Sequence, residues 1–245
     1  MTDRYQSLIK NPIGQFLAKN LGLPNPPELR RWNGGRLVEG TVLLGGEGAV
    51  ASTLPAVLKN SAIETTTVRA DQKRYQGLVF DATGLDSAES LVKIQEFFTP
   101  VLRQLASCGR IVVIGRPANE TSTTGAAIAQ RALEGFVRSV AKEIGSNGST
   151  ANLVLVSNGA ESDLASTLEF LLSAKSAFVD GQVVRVGTVS GLALTAASDS
   201  AKPLAGKVAL VTGASRGLGE AMARTLHRDG ATIIGLDVPP LKEDL

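Results

Sequence analysis

The sequence predicts an α/β protein with a doubly wound parallel sheet in three layers, αβα. Two observations carry that expectation. Short apolar runs recur along the 245 residues at Thr41–Leu44, Ile63–Val68, Leu78–Asp81, Arg110–Ile114, Asn152–Val156, Gln182–Val186, Val208–Val211 and Ala231–Leu236. Most are separated by segments whose apolar residues fall three and four apart, the spacing of an amphipathic helix. Strands that alternate with helices pair in parallel, because each crossover helix carries the chain back to the same end of the sheet.

Residues 1–38 read as an extension. Ile13, Phe16, Leu17 and Leu21 share one face of a short helix expected to pack on a neighbour, and Pro24, Pro26 and Pro27 end it. Lys10, Lys19, Arg30 and Arg31 are expected to be solvated, and Trp32 to anchor packing. Residues 39–188 form the first α/β domain. Its helices run through Leu54, Val57 and Leu58; over Ala88–Leu105, with Leu91, Ile94, Phe97, Phe98, Val101, Leu102 and Leu105 inward; over Gly125–Ile144, with Leu133, Phe136, Val137, Val140 and Ile144 inward; and over Leu164–Leu172. Residues 189–206, rich in Ser, Thr, Ala and Gly without periodicity, read as a linker. Residues 207–245 begin a second domain.

The formal net charge is +2 with basic residues dispersed, which excludes nothing but gives no reason to expect a nucleic-acid partner. The single cysteine, Cys108, cannot form an internal disulfide and fits a reducing compartment. It reads as a loop residue, with no histidine in a partner segment to make it a nucleophile. No signal-peptide pattern and no apolar run of membrane length is present, so the expectation is a cytoplasmic protein without a membrane partner. No spacing of ligand residues suggests a metal.

The most informative stretch is Lys207–Asp237. An apolar strand runs into Thr212-Gly213-Ala214-Ser215-Arg216-Gly217-Leu218-Gly219, a helix follows to Arg228, and a second strand ends at Asp237. A glycine-rich turn lets the main chain approach a pyrophosphate, and the N–H groups of the helix N-terminus face the anion. Gly213, Ser215, Gly217, Leu218 and Gly219 are therefore candidate cofactor-binding residues. Asp237 is placed to accept hydrogen bonds from both adenosine ribose hydroxyls and to repel a 2′-phosphate, which favours NAD over NADP. Arg216 pulls the other way, since a cation in this turn can pair with that phosphate. His227, on the helix, is expected to be exposed.

The form Thr212-Gly213-x-x-x-Gly217-x-Gly219 resembles the short-chain dehydrogenase/reductase family. The resemblance implies a Rossmann or flavodoxin-like fold, and a catalytic Ser, Tyr and Lys far downstream of the turn. Residues 238–245 alone follow Asp237 here, so the chain is expected to hold no catalytic residue and to be inactive by itself. The first domain is similar to the same family with its chemistry gone. LVFDATG at 78–84, GRIVVIG at 109–115, RALEGFVRSVAKEI at 131–144 and FVDGQVVRV at 178–186 carry that likeness. Registering Gly135-Phe136 on the family pattern puts Ala126 in the place of Tyr and Gln130 in the place of Lys. Gly46, Glu47 and Gly48 stand where a phosphate loop belongs, with Glu47 expected to repel phosphate. Residues 69–76 are too few for the strand–helix step that the family pattern places there. The expectation is a remnant that neither binds nucleotide nor reacts.

Over residues 10–240 the chain resembles the N-terminal portion of the high-molecular-weight 3-oxoacyl-(acyl-carrier-protein) reductases, most specifically at 97–105, 129–136, 170–183 and 212–219. That resemblance implies NADH-dependent reduction of 3-oxoacyl thioesters on acyl carrier protein or coenzyme A, and a homodimer. A non-catalytic dimerisation or scaffold module is the alternative, with the apolar edge strand Gln182–Val186 pairing between subunits. A flavin-binding reading of the first domain fits less well, because GGEGAV at 45–50 lacks the hydroxyls of a flavin phosphate loop. The lone βαβ unit is expected to be disordered, to join the first sheet, or to exchange with another chain.

Overall fold

A computed structural model describes residues 11–22, 27–32, 35–188 and 202–238. The chain divides into two compact units, Met1–Thr188 and Val189–Leu245.

The first unit opens with helix α1, Pro12–Leu21. The Asn11 side chain caps it by accepting from the Ile13 and Gly14 amides, Pro12 occupies the first turn, where no N–H is needed, and Gly22 closes it in the left-handed region. The face expected to pack on a neighbour stays open: Ile13, Phe16, Leu17 and Leu21 are all exposed. Ala18 is the apolar side chain that α1 buries.

The sheet then forms from β1 (Thr41–Gly46), β2 (Glu64–Thr66), β3 (Tyr75–Asp81), β4 (Leu105–Gly115), β5 (Thr150–Val156) and β6 (Val183–Val186), in the order β2-β1-β3-β4-β5-β6. Every pairing is parallel. Helices α2 (Leu54–Asn60), α3 (Val92–Val101), α4 (Thr124–Ile144) and α5 (Ala165–Leu172) make the crossovers. Because successive strand residues point to opposite faces, the apolar runs split into two cores. Leu43, Leu78, Phe80, Ile111, Val113 and Leu153 meet α3 and α4 through Ile94, Phe98, Leu133 and Val137. Val42, Leu44, Val79, Val112, Ile114 and Val154 meet α2 and α5 through Leu54, Leu58, Leu168 and Leu171. This is the three-layer, doubly wound arrangement that the periodicity predicts.

As the short spacing at 69–76 predicts, no helix separates β2 from β3, and the connection there is a loop. Two local expectations change. The predicted strand over 63–68 shortens to β2, because an edge strand has one partner and pairs with β1 only at Glu64–Thr66. Cys108 lies inside β4, not in a loop; it is buried at φ 53°, with its thiol 3.6 Å from the Glu28 carbonyl oxygen and 3.4 Å from the Arg30 amide. Arg30 is less solvated than expected, half-buried 3.7 Å from Glu39, while Arg31 is exposed with its guanidinium 5.0 Å from the Phe178 ring centre, and Lys175 lies 4.4 Å over the Trp32 ring. Lys10 lies outside the described residues.

The second unit is one βαβ: β7 (Val208–Thr212), α6 (Gly217–Arg228) and β8 (Thr232–Leu236). Its strands pair with each other in parallel as a two-stranded sheet. Residues 202–206, read as linker, form a turn tied to the unit by the Leu204 amide donating to the Asp229 carbonyl; residues 189–201 lie outside the described set. Helix α6 covers one sheet face, and the other displays Val208, Leu210, Ile234 and Leu236 to solvent. Among the described residues no helix is long and apolar enough to cross a membrane.

The double-sided core makes a direct prediction. Leu133 is fully buried against β4 and β5, so Leu133→Ala lowers unfolding stability by about 2–5 kcal/mol in urea titration. Ile128→Ala, one turn earlier on the exposed face, changes it by about 0.5 kcal/mol at most.

Candidate functional site

Backbone geometry fixes the glycine turn between β7 and α6. A Cβ at Gly219 would lie 1.9 Å from the Gly213 carbonyl oxygen, so only glycine permits the first turn of α6 to sit against the end of β7. The turn is anchored behind by the Gly213 amide donating to the Leu236 carbonyl at 2.7 Å. Arg216 occupies the position that caps α6, with extended backbone and no side-chain hydrogen bond to the helix. The first N–H groups of a helix have no partner within it, so those that follow Arg216 are available to an anion. Leu218 is exposed, and its contribution to such a site is its backbone.

Asp237 follows β8 and folds back onto this turn. The Ser215 amide donates to its Oδ2 at 3.0 Å, the Ser215 hydroxyl donates to the same oxygen, and the Val238 amide donates to Oδ1 at 2.8 Å. The Ser215 hydroxyl, then the Ser215 and Val238 amides, hold the carboxyl below its ordinary range, with the Arg216 charge adding to the effect. The group is therefore ionised throughout the neutral range. All seven sequence-predicted residues, Gly213, Ser215, Arg216, Gly217, Leu218, Gly219 and Asp237, belong to this one turn and the strand end bonded to it. A carboxylate offers about four lone-pair sites, and three are filled here, which leaves an acceptor direction on Oδ1. The residues fit the pyrophosphate and ribose of a dinucleotide. His227 is exposed in the last turn of α6.

The equivalent place in the first unit is filled by the chain itself. Asp81 ends β3 fully buried; its Oδ2 accepts from the Val50 amide at 3.0 Å and its Oδ1 from the Thr83 amide and hydroxyl. The Thr83 hydroxyl also accepts from the Ala49 amide at 2.8 Å. The two turns press together: a Cβ at Gly46 would lie 2.1 Å from the Asp81 carbonyl oxygen, and one at Gly84 2.3 Å from that of Glu47. The Ala49, Val50 and Thr83 amides of these turns are thus taken by the chain itself, and the exposed Glu47 carboxylate pairs with Lys93 at 3.2 Å.

The positions matched to catalytic residues are equally committed. Gln130 is buried; its amide nitrogen donates to the Ala82 and Leu85 carbonyls at 2.7 and 2.9 Å, and its oxygen accepts from the Arg116 amide at 2.7 Å. Arg116 in turn donates to the Val156 carbonyl at 3.1 Å and pairs with Glu161, whose carboxyl it holds below the usual range. Glu120 accepts from Ser157 and the Asn158 amide. Ala126 is buried and carries no functional group. Thus β3, β4 and β5, whose carboxyl ends form the ligand crevice in such sheets, are stitched to one another. Among the described residues no group of three His, Cys, Asp or Glu side chains could hold a metal.

Three residues were missed by the sequence reading. Asp81 looked like an ordinary strand end, and Gln130 like a mere loss of lysine. Arg110 lay in an apolar run, yet it is fully buried, with Nε donating to the Ser173 carbonyl and Nη1 to those of Cys108 and Gly109. Burial first, and the Arg30 charge second, lower its pKa.

Comparison with known proteins places the second unit. Residues 207–242 match the model of the short chain dehydrogenase family. The chain is 51% identical over 43 residues to a 2,3-dihydro-2,3-dihydroxybenzoate dehydrogenase of Bacillus subtilis, and 55% identical over 42 residues to the oxidoreductase UcpA of Escherichia coli. These overlaps cover 18% and 17% of this chain and 16% of each relative, so the chain spans about a sixth of the length of the curated relatives it matches. A short chain dehydrogenase from Leptospira borgpetersenii, solved with bound NAD+, aligns with 62% of this chain and 92% of its own at 14% identity and a TM-score of 0.49.

Removing Gln130 leaves two buried carbonyls and an amide unpaired. Gln130→Ala therefore lowers stability by about 2–4 kcal/mol in denaturant titration, while Gln130→Glu, which keeps the acceptor but loses both donated bonds, is destabilised as well.

Proposed function

We propose that the second unit is the opening βαβ of an NAD-binding oxidoreductase domain. We further propose that the protein it belongs to reduces 3-oxoacyl thioesters, on acyl carrier protein or coenzyme A, using NADH in preference to NADPH. The observation that carries the cofactor reading is the glycine turn itself. Gly219 is pressed against Gly213, the start of α6 lacks a side-chain cap, and an ionised Asp237 is bonded to the same turn. The substrate class rests on the resemblance of residues 97–105, 129–136 and 170–183 to the high-molecular-weight reductases.

When bound, NADH supplies the hydride. This chain's share is binding: N–H groups at the start of α6 meet the pyrophosphate, and the free acceptor of Asp237 Oδ1 meets a ribose hydroxyl. A 2′-phosphate at that position would face an ionised carboxylate, a repulsion that Arg216 offsets in part. Neither tyrosine is assigned to proton transfer. Tyr75 is fully buried in β3 with its hydroxyl accepting from the Ala70 amide, and Tyr5 lies outside the described residues. Turnover by these 245 residues alone is not expected.

The first unit, on this reading, is a non-catalytic partner within the protein. Its strand β6 pairs on one side with β5 and leaves the other side as the sheet edge, which supports a role in homodimer formation by strand pairing.

Titration of NADH into the 245-residue chain is expected to saturate, with NADPH weaker. Gly219→Ala, which forces the turn apart, weakens NADH by about tenfold or more. Unchanged affinity in that variant would place binding elsewhere. The complete natural gene product is expected to consume NADH with a short 3-oxoacyl-CoA, and failure to do so would remove the substrate class.

A further inference from the structure

Ser215 has an unusual allocation of donors. Its amide and its hydroxyl both go to a single atom, Oδ2 of Asp237, across the gap between the glycine turn and the end of β8. Ser215 is buried, so its side chain is fixed by its surroundings, while Asp237 sits half-buried at a strand end with Val238 exposed after it. An aspartate in such a place has a free χ1 and χ2 unless something restrains it, and binding through it would then cost rotamer entropy. Here the restraint is explicit. Oδ2 is pinned on the turn side, Oδ1 takes the Val238 amide, and one acceptor direction on Oδ1 is left.

We infer that Ser215 is a positioning residue for cofactor choice: it holds Asp237 so that Oδ1 alone meets the adenosine ribose, and thereby sets the discrimination between NADH and NADPH. This rests on the cofactor reading given above. The hydroxyl is used inside the protein, so its effect on the nucleotide passes through the carboxylate. Pre-ordering a carboxylate favours the ligand that accepts it and sharpens the repulsion of one that carries a phosphate there. Arg216, beside Asp237 and exposed, is the opposing group. With Asp237 loosened, that arginine acts on a 2′-phosphate against a weaker, less directed repulsion.

The test is a double-mutant cycle on the 245-residue chain, with NADH and NADPH dissociation constants measured for each member. Ser215→Ala is expected to weaken NADH about fivefold, as loss of one charge-assisted hydrogen bond implies, and to leave NADPH within about twofold, narrowing the selectivity ratio. Ser215→Thr, which keeps the hydroxyl, is expected to retain the ratio. In the Asp237→Asn background the same Ser215→Ala change is expected to have no further effect on the ratio. A merely structural role for Ser215 would instead weaken both nucleotides equally in both backgrounds, and that outcome overturns the inference. An unchanged ratio in Ser215→Ala overturns it too, while leaving NAD binding intact. If the unaltered chain binds neither nucleotide, the cofactor reading falls and the inference with it.

Discussion

Asp81 occupies the place in the first unit where a parallel α/β sheet ordinarily receives its ligand. At the carboxyl end of such a strand the following turn exposes backbone N–H groups that must find an acceptor. In this unit the acceptor is internal: the Asp81 carboxylate takes the Val50 and Thr83 amides, and the Thr83 hydroxyl takes that of Ala49. The turns at 46–50 and 81–84 can close to backbone contact only because Gly46, Gly48 and Gly84 lack a Cβ. Gln130 and Arg116 extend the same closure across β4 and β5. The donors of this turn are thus satisfied from within the unit.

The second unit solves the same problem the opposite way. Its glycine turn is as tight, but the N-terminus of α6 has no side-chain cap, the Asp237 carboxylate is drawn toward Ser215 and Val238, and Glu220 in the first turn pairs with Arg224. Donors remain for an anion. Parallel sheets are normally covered on both faces, and here Val208, Leu210, Ile234 and Leu236 are exposed. The unit carries its glycine turn and this open sheet face together.

Much of the fold was legible because parallel strands are continuous apolar runs and helices have their own period. The runs at 41–44, 78–81, 110–114 and 152–156 became β1, β3, β4 and β5, and 125–144 became α4 almost to the residue. What could not be read depends on pairing. β4 begins at Leu105 because Tyr75 pairs there, although Ser107 and Gly109 interrupt the apolar pattern and Cys108 takes a positive φ. Arg110 is buried because four backbone carbonyls happen to converge on it, a fact no local pattern encodes. The candidate site divided in the same way. The glycine turn and Asp237 are contiguous motifs and were visible. The closure of the first unit joins residues as far apart as Val50 and Asp81, or Leu85 and Gln130, and its chemistry appears only when the sheet brings them together.

Hydrogen exchange on the 245-residue chain, with and without NADH, tests the central contrast most directly, because it reports each turn separately. The account predicts slowed exchange at the amides of 215–220 and around Asp237, with the amides of Ala49, Val50 and Thr83 already protected and unchanged by nucleotide. Nucleotide-dependent protection at 46–50 and 81–84, with none at 215–220, would contradict it.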